Sequence, residues 1–122
     1  MKPAEELNAL YRQWRRLTEA EARFIRGNFW DQIDQLQSTK AHLQPRITEM
    51  SAQLDPVEHE HRFRPVVEEL IRLEQHNREL IQAQRQIAQH QKEELEQSSR
   101  HLRQLHRSYA PGLARTHWLS YS

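Results

Sequence analysis

The residues best suited to chemistry in this chain are adjacent histidines and carboxylates. His59, Glu60 and His61 stand side by side, and Glu58-x-x-His61 matches half of a di-iron carboxylate pattern. Such a site needs a second Glu-x-x-His on a facing helix and further glutamates. No second copy occurs in the sequence. His59 and His61 also fall on different faces of any helix. They read as surface histidines near a helix junction, with no metal and no cofactor implied. There is no Gly-rich phosphate loop, no nucleophile motif and no H-E-x-x-H. The many carboxylates are those of a charged helix surface, so the reading is a protein that is not an enzyme.

Three further polar features stand out. Lys40 occupies the single gap in an apolar ladder, where it reads as a structural lysine that snorkels from a packed stem, with an Asp or Glu as partner. Asn77, Gln84, Gln91 and Ser98 recur every seven residues. That line is either a polar layer that fixes helix pairing, a face left to water, or the hydrogen-bonding edge of a groove. Finally, no acid follows Glu96, whereas Arg100, Arg103, Arg107 and Arg115 do. Arg100, Arg103 and Arg107 share one helix face. Against a net charge of +1 they are a thin footprint for phosphate, and the arm reads as a solvated face rather than a nucleic-acid site.

The elements that must position these residues are helices. Phe29, Ile33, Leu36, Leu43, Ile47, Met50 and Leu54 are spaced 4-3-7-4-3-4, with Lys40 in the one gap. That alternation keeps one narrow stripe facing a partner helix. Before it, Leu7, Leu10, Trp14, Leu17 and Phe24 form a stripe with Glu21 as its polar member. Pro3 suits a first helical turn, and Glu5 and Glu6 complement the helix dipole. The two ladders are out of phase across Gly27-Asn28. The expectation is a break in which Gly27 takes positive φ after the first helix and Asn28 caps the second. Pro45 interrupts no phase, which predicts a kinked but continuous second helix. Asp55-Pro56-Val57-Glu58 is a restart signal, with a short helical piece expected to about His61. Arg64-Pro65 marks a second boundary.

No Gly or Pro lies between Val66 and Ala110. One helix is predicted from Pro65 to about Tyr109, roughly 68 Å at 1.5 Å per residue. Its stripe is Val66, Leu70, Leu73, Leu80 and Ile87. A second column, Ile81, Ala88, Leu95, Leu102 and Tyr109, then takes over. Pro111-Gly112 is expected to end it. The fold class that follows is all-α: an elongated antiparallel bundle of three main helices with a long C-terminal helix. Residues 1–110 form the helical bundle, with helices at about 3–26, 29–54 and 65–109, and 111–122 form a C-terminal tail.

Bulk composition agrees with slim helices. Hydrophobic residues make up 36% of the 122, too few for a broad core but enough for stripes. There is no cysteine, which excludes disulfides and thiolate metal sites and fits a reducing compartment. No apolar run resembles a signal segment or approaches the length needed to cross a bilayer. The expectation is a cytoplasmic protein with no membrane insertion.

The first two helices are each too short to cover the third. The leftover part must therefore meet another copy, a partner, or the chain's own tail. Leu95, Leu102, Leu105, Tyr109, Leu113 and Trp118 are the candidate partner-binding residues. An amphipathic stripe there can dock a partner's helix. Closure of a homodimer, or of the bundle itself, is an equal alternative.

The order of several residues resembles a known family. Arg26-Gly27-Asn28-Phe29-Trp30-Asp31 is followed by Gln37-Ser38-Thr39-Lys40-Ala41-His42-Leu43. Leu73-Glu74-Gln75-His76-Asn77-Arg78-Glu79-Leu80 comes next, and Ser108-Tyr109-Ala110-Pro111-Gly112 closes the series. This resembles the flagellar-export chaperones of the FlgN type and, more loosely, FliT. In that family a Gly-Asp turn, a Lys in the second helix, an Asn followed by an apolar residue and a terminal Tyr-Gly element recur in this order. Asn28 departs from the Asp, and Pro45, Pro65 and the many histidines depart from the pattern. The resemblance implies a cytoplasmic helical chaperone without catalytic activity. It would bind amphipathic helical ends of hook-associated axial proteins, prevent premature assembly and deliver them to the type III export gate. It also implies a binding surface in the C-terminal helical region.

Overall fold

The computed structural model describes residues 2–108. The element order is α1 (Pro3–Arg26), α2 (Trp30–Ala52) and α3 (Pro56–Ser108). The protein is all-α, and its long C-terminal helix packs against the other two. Two compact units divide it, Met1–Gln84 and Arg85–Ser122, and α3 contributes to both.

In the first unit, α2 runs antiparallel to α1, and α3 runs parallel to α1. Tyr11 stands near His59 and Phe63, Trp14 near Glu74, and Arg26 near Gln84. The core cluster joins Ala4, Leu7 and Tyr11 of α1 to Phe63 and Leu70 of α3. Ile47, Met50, Leu54, Val66, Val67 and Leu73 pack against it. Leu10, Ile25, Ile33 and Leu43 are also buried. Each such side chain withdrawn from water contributes about 1.5–3 kcal/mol. The ladder read from the sequence faces inward from Ile33 to Leu54. Its first member, Phe29, is exposed.

The reason lies in the turn. Positive φ falls on Asn28 (60°), not on Gly27, whose φ is −90°. Asn28 N–H donates to Ile25 O at 3.1 Å and Phe29 N–H to Phe24 O at 2.9 Å. These bonds form a Schellman closure of α1, with Asn28 at the left-handed position. The Phe29 ring meets Phe24 edge-on, with centroids 6.2 Å apart. That is the apolar contact which accompanies such a closure. Asn28 is thus spent ending α1 and does not cap α2. Phe29 is the N-cap residue of α2, with no side-chain hydrogen bond. Gly27 is needed for a different reason than expected. A Cβ there would stand 2.6 Å from Phe29 Cδ2.

Both internal prolines lie within continuous helices, Pro45 as expected and Pro65 against expectation. The restart at residue 55 is the true start of α3. Asp55 Oδ2 accepts from Glu58 N–H at 3.3 Å, and Pro56 fills the first helical position. The helix then runs through Pro65 without stopping. His61, whose carbonyl loses its donor to the ring, is exposed, as is Pro65. Water can solvate that carbonyl while Phe63, Val66 and Val67 pack inward. The expected helix of residues 65–109 is therefore longer at its start. Its expected end at Tyr109, and the stop at Pro111-Gly112, fall outside the described residues.

Candidate functional site

Two places in the molecule have the residues of a site. One is a polar layer in the first unit. Thr18, Glu21, Lys40 and Asn77 are the buried polar side chains of the described residues. They meet where three helices converge. Lys40 is only 6% exposed. Its ammonium bonds directly to Glu74 and stands 3.7 Å from Glu21 Oε1. It also lies 4.7 Å from the Trp14 ring centroid, within reach of a cation–π attraction. Trp14 Nε1 donates to Glu74 Oε1 at 3.1 Å. Asn77 Nδ2 donates to Thr18 O and to Glu21 Oε1, both at 2.9 Å. Glu21 Oε2 is buried without a hydrogen-bond partner.

Lys40 is therefore structural, with carboxylate partners as its place in the ladder suggests. It does not snorkel: the ammonium stays inside. The sequence marks Lys40 and Glu21 as polar members of their stripes, but nothing local says that they meet. Glu74, the residue that joins Lys40 to Trp14, is invisible to sequence reasoning. It carries no signal beyond lying three residues before Asn77. A cleft of about 300 Å³ opens beside this layer, lined by Trp14, Glu21, Lys40, Glu74, Asn77 and Arg78, among others. The chemistry of the layer is charge compensation within the chain. Lys40 serves two carboxylates at once, Glu21 and Glu74.

The seven-residue polar line divides. Asn77 is buried in the layer. Gln84 reaches Arg26 O at 3.4 Å, and Gln91 and Ser98 are exposed.

The second place is the described part of the second unit. Leu95 is 72% exposed, Leu102 52% and Leu105 38%. Their spacing puts them on one side of α3. Ile87 is exposed as well. Tyr109, Leu113 and Trp118, the other candidate partner-binding residues, lie outside the described residues. Arg100, Arg103 and Arg107 are exposed.

The histidine pair has no metal-site geometry. His59 Nε2 stands 3.0 Å from the Tyr11 hydroxyl, and its ring packs on Phe63 with centroids 5.4 Å apart. His61 is exposed. Among the described residues, no three His, Cys, Asp or Glu side chains come together as metal ligands would. No helix among them is long and apolar enough to cross a membrane.

Electrostatics outside the layer are those of exposed pairs. A hydrogen bond from Arg72 holds Glu69 below the usual carboxylate range, and Arg15 adds to it. The hydrogen bonds that Arg15 and Arg64 donate to Glu19 and Glu68 respectively raise the two guanidinium groups above their ordinary values. Exposed pairs of this kind contribute little to stability.

Compared with known proteins, the chain matches no family model, no curated protein and no solved structure.

Proposed function

We propose that the protein is a non-catalytic export chaperone that holds an amphipathic helix of a partner against the later part of α3. In full, the reading is a cytoplasmic type III flagellar export chaperone. Its client is a helical end of a hook-associated axial protein, kept from premature assembly. The observation that carries the proposal is the exposure of Leu95, Leu102 and Leu105 on one side of a helix. Large apolar side chains in a row are the surface on which an amphipathic helix docks. The resemblance to FlgN-type chaperones adds the class of client. Two residues that carry that resemblance, Lys40 and Asn77, are far apart in sequence yet share Glu21 as a partner. Their common layer gives their order in the chain a structural reason.

The test is binding of synthetic peptides spanning the terminal amphipathic helices of hook-associated proteins. Leu102→Asp with Leu105→Asp should abolish the binding while circular dichroism stays close to that of the parent. Unfolding of the whole domain by this pair would place both residues in a core and defeat the proposal. A stable dimer in solution that buries Leu95 to Leu105 and excludes the peptides would favour a structural coiled coil instead.

A further inference from the structure

The apolar pattern of α3 repeats every seven residues where it faces α1 and α2. Val66, Leu73 and Leu80 form one series. Phe63, Leu70, Asn77 and Gln84 form a second, and Val67, Glu74 and Ile81 a third. Heptad repetition makes a helix nearly indifferent to a slide of one repeat, about 10.5 Å at 1.5 Å per residue. Val66, Leu73 and Leu80 would exchange places at little cost. The sequence even offers a second helix start, Arg64-Pro65, nine residues after Asp55-Pro56. Unwinding the first turns of α3 would lengthen the connection from α2 and permit the slide.

Positions 74 and 77 carry the polar difference between the registers; the buried Phe63 site, which would pass to Leu70, carries the largest apolar one. If α3 moved so that later residues took earlier places, Ile81 would replace Glu74 beside Lys40. Gln84 would stand where Asn77 now bonds Thr18 O and Glu21. Asn77 itself would enter the apolar site of Leu70. The opposite slide would set Val67 against Lys40 and Leu70 against Glu21. Either way a buried ammonium loses Glu74, the carboxylate it bonds directly, which is strongly unfavourable.

We infer that the Glu21–Lys40–Glu74–Asn77 layer is a register lock. It fixes the axial position of α3 on the α1–α2 pair and holds the helix start at Pro56. It does so at the expense of stability, as the buried, partnerless Glu21 Oε2 indicates. A polar layer that selects one pairing among apolar alternatives is a known use of buried polarity.

Cross-linking reads the register directly, because the chain has no cysteine of its own. Arg15 Nη2 stands 3.7 Å from Glu69 Oε1. Arg15→Cys with Glu69→Cys, joined by a short bis-maleimide, therefore reports the native register. Arg15→Cys with His76→Cys reports the slid one. In the parent only the first pair should be captured. In the apolar variant Glu21→Leu, Lys40→Met, Glu74→Leu, Asn77→Leu, both pairs should be captured, and the denaturant midpoint should be unchanged or higher. A second variant moves the polar pair one repeat along: Glu74→Ile, Asn77→Leu, Ile81→Glu, Gln84→Asn. Here the 15/76 pair should replace the 15/69 pair. The inference is overturned if the 15/76 pair is absent from both variants while 15/69 persists. It is equally overturned if the parent itself yields the 15/76 product, or if the apolar variant loses its cooperative unfolding.

Discussion

The layer around Lys40 and the stretch from Leu95 to Leu105 break the usual rule of burial in opposite senses. The first buries a lysine and a glutamate; the second leaves three leucines in water. Lysine and glutamate are almost never fully buried unless paired, and Lys40 has two carboxylates and an indole around it. The polar layer is satisfied almost wholly from within the chain, so its role is internal. The leucines have no such account from the described residues. The more reactive-looking cluster joins three helices, and the plainer residues carry the proposed binding surface.

The sharpest way to break this comparison is Lys40→Ala. It strips Glu21 and Glu74 of their cation while Glu21 stays buried. A loss of about 3–5 kcal/mol is expected in urea unfolding. A change under about 1 kcal/mol would show that the layer is not the clasp described. Asn77→Ala should cost less, about 1–3 kcal/mol, because it leaves Thr18 O and Glu21 Oε1 short of one donor each. Gly27→Ala should cost about 1 kcal/mol. Its methyl collides with the Phe29 ring but meets no forbidden φ. Fluorescence of the neighbouring Trp30 would report the ring's displacement.

On the other side of the comparison, Leu102→Asp with Leu105→Asp should change stability by no more than about 0.5 kcal/mol while removing peptide binding. Equal effects on both would erase the contrast between the two regions. The smallest effect concerns pH. Glu69 is held below its ordinary range, chiefly by its hydrogen bond from Arg72. Its contribution is present above the usual carboxylate range and is lost as pH falls through the lowered value. The Glu69 side chain is 35% exposed, and screening by water keeps this contribution small. Arg72→Ala should return the Glu69 titration toward the ordinary range, as followed by carboxyl NMR shifts.

Much of the fold is legible in the residues. The ladder from Ile33 to Leu54 faces inward as its spacing requires, and Asp55-Pro56 starts α3 as cap chemistry dictates. Lys40 stays inside where snorkelling is expected, and the two remaining departures share a cause. Asn28 can serve either as a helix-ending left-handed residue or as an N-cap. The choice went to the role in which Phe29 could pack on Phe24. Pro65 is a boundary by local rules, yet the packing of Phe63, Val66 and Val67 outweighs one lost backbone bond. Helix length, with the seven-residue column through Leu95 and Leu102, points to 95, 102 and 105 as apolar residues beyond the reach of the first two helices, and all three are exposed. The polar layer was visible only as isolated oddities in three separate stripes.

By itself, the order of residues determined what acts over one or two helical turns: which stretches coil, where they begin and which face is greasy. Tertiary structure alone decided that Lys40 would lie beside Glu21 and Glu74, and that Asn28 rather than Gly27 would take the left-handed turn. The physical reason is that desolvation and charge pairing depend on what surrounds a group in space. Neighbours in space can be 34 residues apart in the chain, as Lys40 and Glu74 are.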